Sequence, residues 1–250
     1  MDMNIAVFGD RFKQYAHLVG GITLSELRTA LQAGAVVDEV YEVFQGVSKA
    51  ALSLLQQQFA LAGKSDQLMC GPDQEAVPQR WVHKAQQSNV LISPPREAGP
   101  NRFEMNLVVD HHNEMVLDHL SGFHVQGMVL IEAARQAFLA VTENYLLPHR
   151  QGAYYFIIER LDAQYHAFVF PLYCGILFQL TDQQDKPHKH SYEADIQFWQ
   201  NGSLCTLVQV KYAVYEAAEL LPKEQALAVA ARQQQALEPR CATAVGGLST

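Results

Sequence analysis

Three polar side chains interrupt an otherwise apolar stretch: Glu132, Arg135 and Gln136, at i, i+3 and i+4, one face of a helix. From Val125 to Val141 the only other strongly polar residue is Gln126, and a helix apolar nearly all round is a buried one. Charged groups are almost never fully buried unless paired, so that face must meet a partner, a ligand or water. Just upstream lie Asp118, His119 and His124. An imidazole can shuttle a proton near neutral pH, and Asp118 could orient His119 or simply bond the loop backbone. Gly127 opens the helix and permits close backbone approach. The first N–H groups of such a helix, near Gly127 and Met128, form a ready anion site. Each feature has a plainer reading. Glu132, Arg135 and Gln136 could be a satisfied network tying the helix to a sheet, and the histidines could order the loop. His111, His112, His119 and His124 are dense but show no helical metal-pair spacing and no second cluster, so no metal is assigned. Nucleophile-elbow, Walker and dinucleotide fingerprints are missing, so no cofactor is implied.

The elements that must hold these residues follow from periodicity. Residues 1–79 read as a helical appendage and linker. Asn4–Gly9 suggests a short strand, Thr23-Leu24-Ser25-Glu26 a capping box with Gly34 ending its helix, and Val36–Leu61 one long helix. Residues 63–79, with two glycines and two prolines, read as linker. Residues 80–216 read as the main domain. Two strands come first, a short apolar run at Asn89–Ser93 and an alternating one from Phe103 to Val109. The long helix follows, ending before Pro148. Further strands are expected at Tyr154–Ile158, Tyr165–Phe170, Gly175–Thr181, Tyr192–Phe198 and Leu204–Tyr212, with Asn201-Gly202 as a hairpin turn. Residues 217–250 read as a polar helix, Lys223–Leu237, and a tail. One helix followed by a meander predicts an α+β layer, an antiparallel sheet wrapped around that helix.

Composition narrows the function. The chain has 250 residues, 49% hydrophobic and 18% charged, enough for a real core. A net charge of −8 and the lack of a basic stripe argue against nucleic-acid binding. Cys70, Cys174, Cys205 and Cys241 are far apart, as in reduced thiols of a cytoplasmic protein. No apolar run reaches membrane-spanning length, and the first residues lack a signal-peptide core.

The sequence around the helix resembles the A-factor biosynthesis (AfsA-type) hotdog family. The resemblance lies in Val82-His83-Lys84, Asp118-His119, His124-Val125-Gln126-Gly127-Met128 and Leu130-Ile131-Glu132-Ala133-Ala134-Arg135-Gln136-Ala137. It extends over roughly residues 80–215 by the strand–helix–strand pattern. Family members commonly carry two such repeats; this chain shows one clear copy, which implies a homodimer. Where the family often has proline before the glycine, this chain has Gln126.

The resemblance implies transfer of a β-ketoacyl group from an acyl carrier protein (or coenzyme A) thioester to dihydroxyacetone phosphate, toward butyrolactone-type signals. Under that reading Glu132 acts as base or positions the acceptor, with apolar walls raising its pKa. His119 and His124 move protons. The Gly127 and Met128 amides polarise the carbonyl, and Arg135 pairs with Glu132 or meets a phosphate. A hotdog dehydratase or thioesterase, and a non-catalytic acyl- or protein-binding dimer, are the alternatives.

Overall fold

The computed structural model describes residues 4–35, 39–71, 75–118, 122–147 and 153–237. The N-terminal segment carries short helices and, around the short strand expected at Asn4–Gly9, a parallel sheet. Its elements are β1 (Ile5–Phe8), α1 (Lys13–Leu18), β2 (Ile22–Thr23), α2 (Leu24–Gln32), β3 (Tyr41–Val43), α3 (Lys49–Leu61) and β4 (Leu68–Cys70). The strands lie in the order β2-β1-β3-β4, all parallel. The capping box forms as read: the Thr23 hydroxyl accepts from the Glu26 N–H, and the Glu26 carboxylate accepts from the Thr23 N–H at 2.8 Å.

The single helix expected over Val36–Leu61 is instead a strand and a shorter helix, with residues 36–38 outside the described residues. Gly46 explains the break. It takes φ 84° and donates its N–H to the Val109 carbonyl, leaving Ser48 to cap α3 through the Ala51 N–H. The stretch read as linker contains β4, paired to β3. Strand β1 faces two ways, as period two requires. Val7 packs with Leu27, Leu55 and Phe59 inside the small sheet's own core, whereas Phe8 joins the main core with Phe12, Tyr15 and Ala16.

The main core lies under a second sheet. Its strands are β5 (Arg96–Gly99), β6 (Arg102–Asn106), β7 (Tyr154–Tyr165), β8 (Gly175–Lys186), β9 (Lys189–Gln200) and β10 (Ser203–Glu216). They run antiparallel in the order β5-β6-β8-β9-β10-β7. A short helix, α4 (Glu114–Leu117), precedes the central α5 (Gly127–Val141), and α6 (Ala217–Leu237) follows β10. The last turn of α5 continues as π-helix over Thr142–Leu146.

Ala133, Ala134, Ala137 and Ala140 are fully buried, which lets α5 settle close to the sheet. Phe138 stacks on Tyr212 at 4.4 Å, and Tyr212 shares a 2.6 Å hydrogen bond with Thr142. One long helix wrapped by a curved antiparallel sheet is the hotdog arrangement that the resemblance implied.

Several boundaries differ from the sequence reading. Asn89–Ser93 forms no strand, only an isolated bridge between Ile92 and Leu107. Strand β6 stops at Asn106, and β5 was not anticipated. The two strands expected at Tyr154–Ile158 and Tyr165–Phe170 are one strand, β7, followed by a loop. Its middle is exposed at the sheet edge, so it shows no alternation to read. Helix α6 begins at Ala217 and runs through Pro222 instead of starting after it.

The two sheets are joined by a buried amide. The Gln45 side chain donates to the Leu107 carbonyl at 2.8 Å and accepts from the Val109 N–H at 2.8 Å. Arg11 adds a hydrogen bond to the Leu117 carbonyl, and Tyr15 stacks on Phe170 at 5.3 Å. The N-terminal unit therefore braces both the loop before α5 and the segment after β7.

Candidate active site

Two cavities open along α5. The larger, about 890 Å³, lies at its start, lined by His124 to Met128, Leu130 and Tyr165 to Phe170. Gln126 takes an extended conformation at the helix N-cap, and its side chain makes no cap hydrogen bond. Its carbonyl accepts from the Val129 N–H at 3.0 Å, while the Gly127 and Met128 N–H groups have no acceptor among the described residues. Val125 anchors the loop by donating its N–H to the Val169 carbonyl at 2.7 Å. The walls are aromatic: the His124 ring lies 4.8 Å from Phe168, which is 66% exposed. The Tyr165 ring sits so close over Gly127 that a Cβ there would meet it at 2.8 Å. This is an apolar trough ending at unbonded amides, suited to an acyl chain and its carbonyl oxygen.

The smaller cavity, about 420 Å³, lies further along the helix between α5 and β7, lined by His83, Arg135, Phe138, Leu139 and Tyr154 to Ile158 without Ile157. Beside it Glu132, Arg135 and Gln136 meet as the helical spacing predicts, and of the three Arg135 alone lines the cavity. Arg135 holds Glu132 with both prongs, Nε to Oε2 at 2.8 Å and Nη2 to Oε1 at 2.9 Å. Lys84 Nζ reaches Oε1 at 2.8 Å, and Gln136 Nε2 donates to it at 3.0 Å. Gln136 is fully buried; it also donates to the Asn89 carbonyl at 2.9 Å and accepts from the Leu91 N–H at 2.7 Å. The network therefore ties α5 to the strap at residues 79–91, not to the sheet.

The expected direction of the Glu132 pKa is reversed. Burial pushes it up, but hydrogen bonds from Arg135, Lys84 and Gln136 and the guanidinium charge outweigh burial and bring it down to about 2. Apolar walls alone would have raised it; the cations beside it win.

Of the residues singled out from sequence, His124, Gly127 and Met128 share the groove, and Glu132, Arg135 and Gln136 share the network. Helical periodicity puts Met128, Glu132 and Arg135 on one stripe of α5, running from groove to cleft. Asp118, exposed at the C-cap of α4, lines neither cavity. His119 lies outside the described residues.

Sequence reasoning missed four contributors. His166 lines the groove from an irregular segment with no local signal. Lys84 and His83 come from the strap, where only the Val82-His83-Lys84 match hinted at them. Glu143, at 2.7 Å from His83, belongs to a π-helical turn that periodicity cannot anticipate.

The six-strand order, the central helix and a groove at its first turn define a hotdog unit with an apolar trough at the start of its helix. The chain belongs to the A-factor biosynthesis hotdog domain family, which matches residues 66–215. Solved structures of similar backbone include a thioesterase variant from Pseudomonas aeruginosa, with 14% identity, a TM-score of 0.37 and coverage of 50% of this chain and 81% of that one. A thioesterase from Haemophilus influenzae is 16% identical, with a TM-score of 0.35 and coverage of 50% and 78%. A conserved protein from Pseudomonas aeruginosa is 14% identical, with a TM-score of 0.40 and coverage of 54% and 98%. Among curated proteins none matches. No helix among the described residues is long and apolar enough to cross a membrane.

Proposed function

We propose that the protein is an acyltransferase that moves a β-ketoacyl group from a carrier-protein or coenzyme A thioester to a small hydroxylated acceptor. Dihydroxyacetone phosphate is the acceptor to try first, in butyrolactone-type signal or secondary-metabolite biosynthesis in the cytoplasm. The carrying observation is the apolar groove that ends at the unbonded Gly127 and Met128 amides. Those donors are placed to stabilise the oxyanion that forms when an alcohol adds to a thioester. In this reading His124 borders the reacting carbonyl, and Asp118 and His119 precede it in the chain as further candidates. Glu132 orients Arg135 and Lys84 rather than taking a proton. A non-catalytic dimer would favour an Arg135–Glu132 pair sealed from any cavity, yet Arg135 lines the cleft.

The functional unit in this proposal is a homodimer. Strand β7 is the last of its sheet, with one edge unpaired among the described residues and Ile157 and Ile158 exposed. The cleft lies at its Tyr154 end and the groove at its Tyr165 end. Antiparallel pairing of two β7 edges about a twofold axis would bring one chain's cleft to the other chain's groove. Sedimentation at a two-chain mass supports this; a monomer at working concentration removes it.

The deciding experiment offers the pure protein β-ketoacyl, 3-hydroxyacyl and saturated carrier-protein thioesters, each with and without dihydroxyacetone phosphate, and reads products by mass spectrometry. Ester formation supports transfer. Loss of water or release of free acid without ester supports a hotdog dehydratase or thioesterase instead.

A further inference from the structure

A carboxylate held as low as Glu132 is a poor proton acceptor at neutral pH. The cleft beside it offers another, and two conformationally unusual features converge there. His83 has φ 54° and ψ 43°, the left-handed region, at the end of the Gln79–Val82 turn. The other non-glycine residues of positive φ among those described, Asn101, His188 and Asn201, all sit in hairpin turns, where that conformation is ordinary. Across the cleft, α5 abandons α-helical spacing for the π turn that carries Glu143. Single π turns and left-handed non-glycine residues both recur at functional sites. They meet in one contact, His83 Nε2 to Glu143 Oε1 at 2.7 Å, with the imidazole edge-on to Phe156 at 5.6 Å.

We infer that His83, oriented by Glu143, is the proton acceptor of this cleft, and that Arg135 beside it receives an anionic group of the acceptor alcohol. The inference rests on the acyl-transfer reading and adds the base which that reading lacks. With the Nε2–H donated to Glu143, the tautomer assigned from that contact leaves the lone pair on Nδ1, which has no partner among the described residues. Arg135 is anchored by Nε and Nη2, leaving Nη1 without a partner among the described residues.

The step balances as follows. Nδ1 takes the alcohol proton, and the alcohol oxygen forms a C–O bond to the thioester carbonyl carbon. The C–S bond breaks, and sulfur leaves with the electron pair and takes the proton back from His83. An ester and a free thiol result. In the proposed dimer the carbonyl would lie in the groove of the partner subunit.

The test is single-turnover transfer from a β-ketoacyl carrier protein to dihydroxyacetone phosphate. His83→Asn removes the imidazole yet tolerates positive φ, so the fold should survive. Transfer should fall about 10²- to 10⁴-fold, the usual contribution of a general base, with thioester binding unchanged. Imidazole added to His83→Gly should restore at least about tenfold, which a merely structural role would not allow. Glu143→Gln should cost about tenfold, less than loss of the ring. The wild-type pH profile should lose its ascending limb in His83→Asn. The other titratable and charged groups at the cleft, namely Glu143 of the π turn, Arg135 of α5, and Tyr154 and Tyr155 of β7, remain in that variant, as do Glu132, which is bonded to Arg135, and Lys84, which is bonded to Glu132. A wild type that makes no ester overturns the transfer reading and this inference together. A wild type that makes ester while His83→Asn, or Glu143→Gln should the former fail to fold, keeps its full rate overturns the inference alone.

Discussion

The two ends of α5 solve opposite problems. Its first turn faces an aromatic trough where backbone donors are left unbonded and side chains such as Phe168 and Met128 stand exposed. Two turns on, the same stripe of the helix borders a cleft lined by Arg135, beside which each Glu132 oxygen is bonded to at least one cation. An open, unsatisfied surface costs the free protein stability and gains it back from a ligand. A saturated ion-pair network is rigid before any ligand arrives, so one end is built to bind and the other to hold still.

That contrast can be broken most readily at the rigid end. Glu132→Ala leaves Arg135 and Lys84 facing each other without an anion, and removing one partner of such a network should cost about 3 to 4 kcal/mol in urea unfolding. A loss under about 0.5 kcal/mol would make the cleft no more rigid than ordinary surface. Acid titration comes next. Because the folded-state pKa of Glu132 lies below its unfolded value, its contribution is fully present above about pH 5 and fades as pH falls toward about 2. Wild-type stability should drop by about 2 to 3 kcal/mol more than that of Glu132→Gln across this window, as followed by denaturation at stepped pH.

At the open end the signs reverse. Phe168→Ala should leave stability within about 0.5 kcal/mol while weakening an acyl-thioester analogue about tenfold in fluorescence titration. A variant that unfolds instead would mean the trough is core. The smallest effect is expected from Gly127→Ala. Its new methyl meets only the far end of the exposed Tyr165 side chain, which can swing aside. Melting should barely change, and affinity should shift by a few-fold as the ring moves within the trough.

The sequence displays these ends unequally. The stripe of Glu132, Arg135 and Gln136 was visible because helical spacing forces those side chains together once the surrounding residues are apolar. The hairpin at Asn201-Gly202 and the capping box at Thr23 were visible because each is local chemistry. What stayed hidden depends on distant partners. The sign of the Glu132 pKa is set by Lys84, forty-eight positions upstream in the strap and in no periodic relation to α5. Glu143 falls outside α-helical phase, and β7, exposed along its middle, offered no alternation. Tyr41–Val43 reads as helix because apolar residues at mixed spacing fit either period, and the deciding bond, Gly46 to Val109, joins the loops that follow β3 and β6.

The small parallel sheet has a consequence for how the chain can be cut. Phe8, Phe12, Tyr15 and Ala16 are stones in the main domain's own wall, and Gln45 is mortared to the backbone at Leu107 and Val109. A fragment starting at residue 80 would therefore carry a raw oily scar beside the loop that leads into α5, and would be prone to clump. The two units stand or fall as one building.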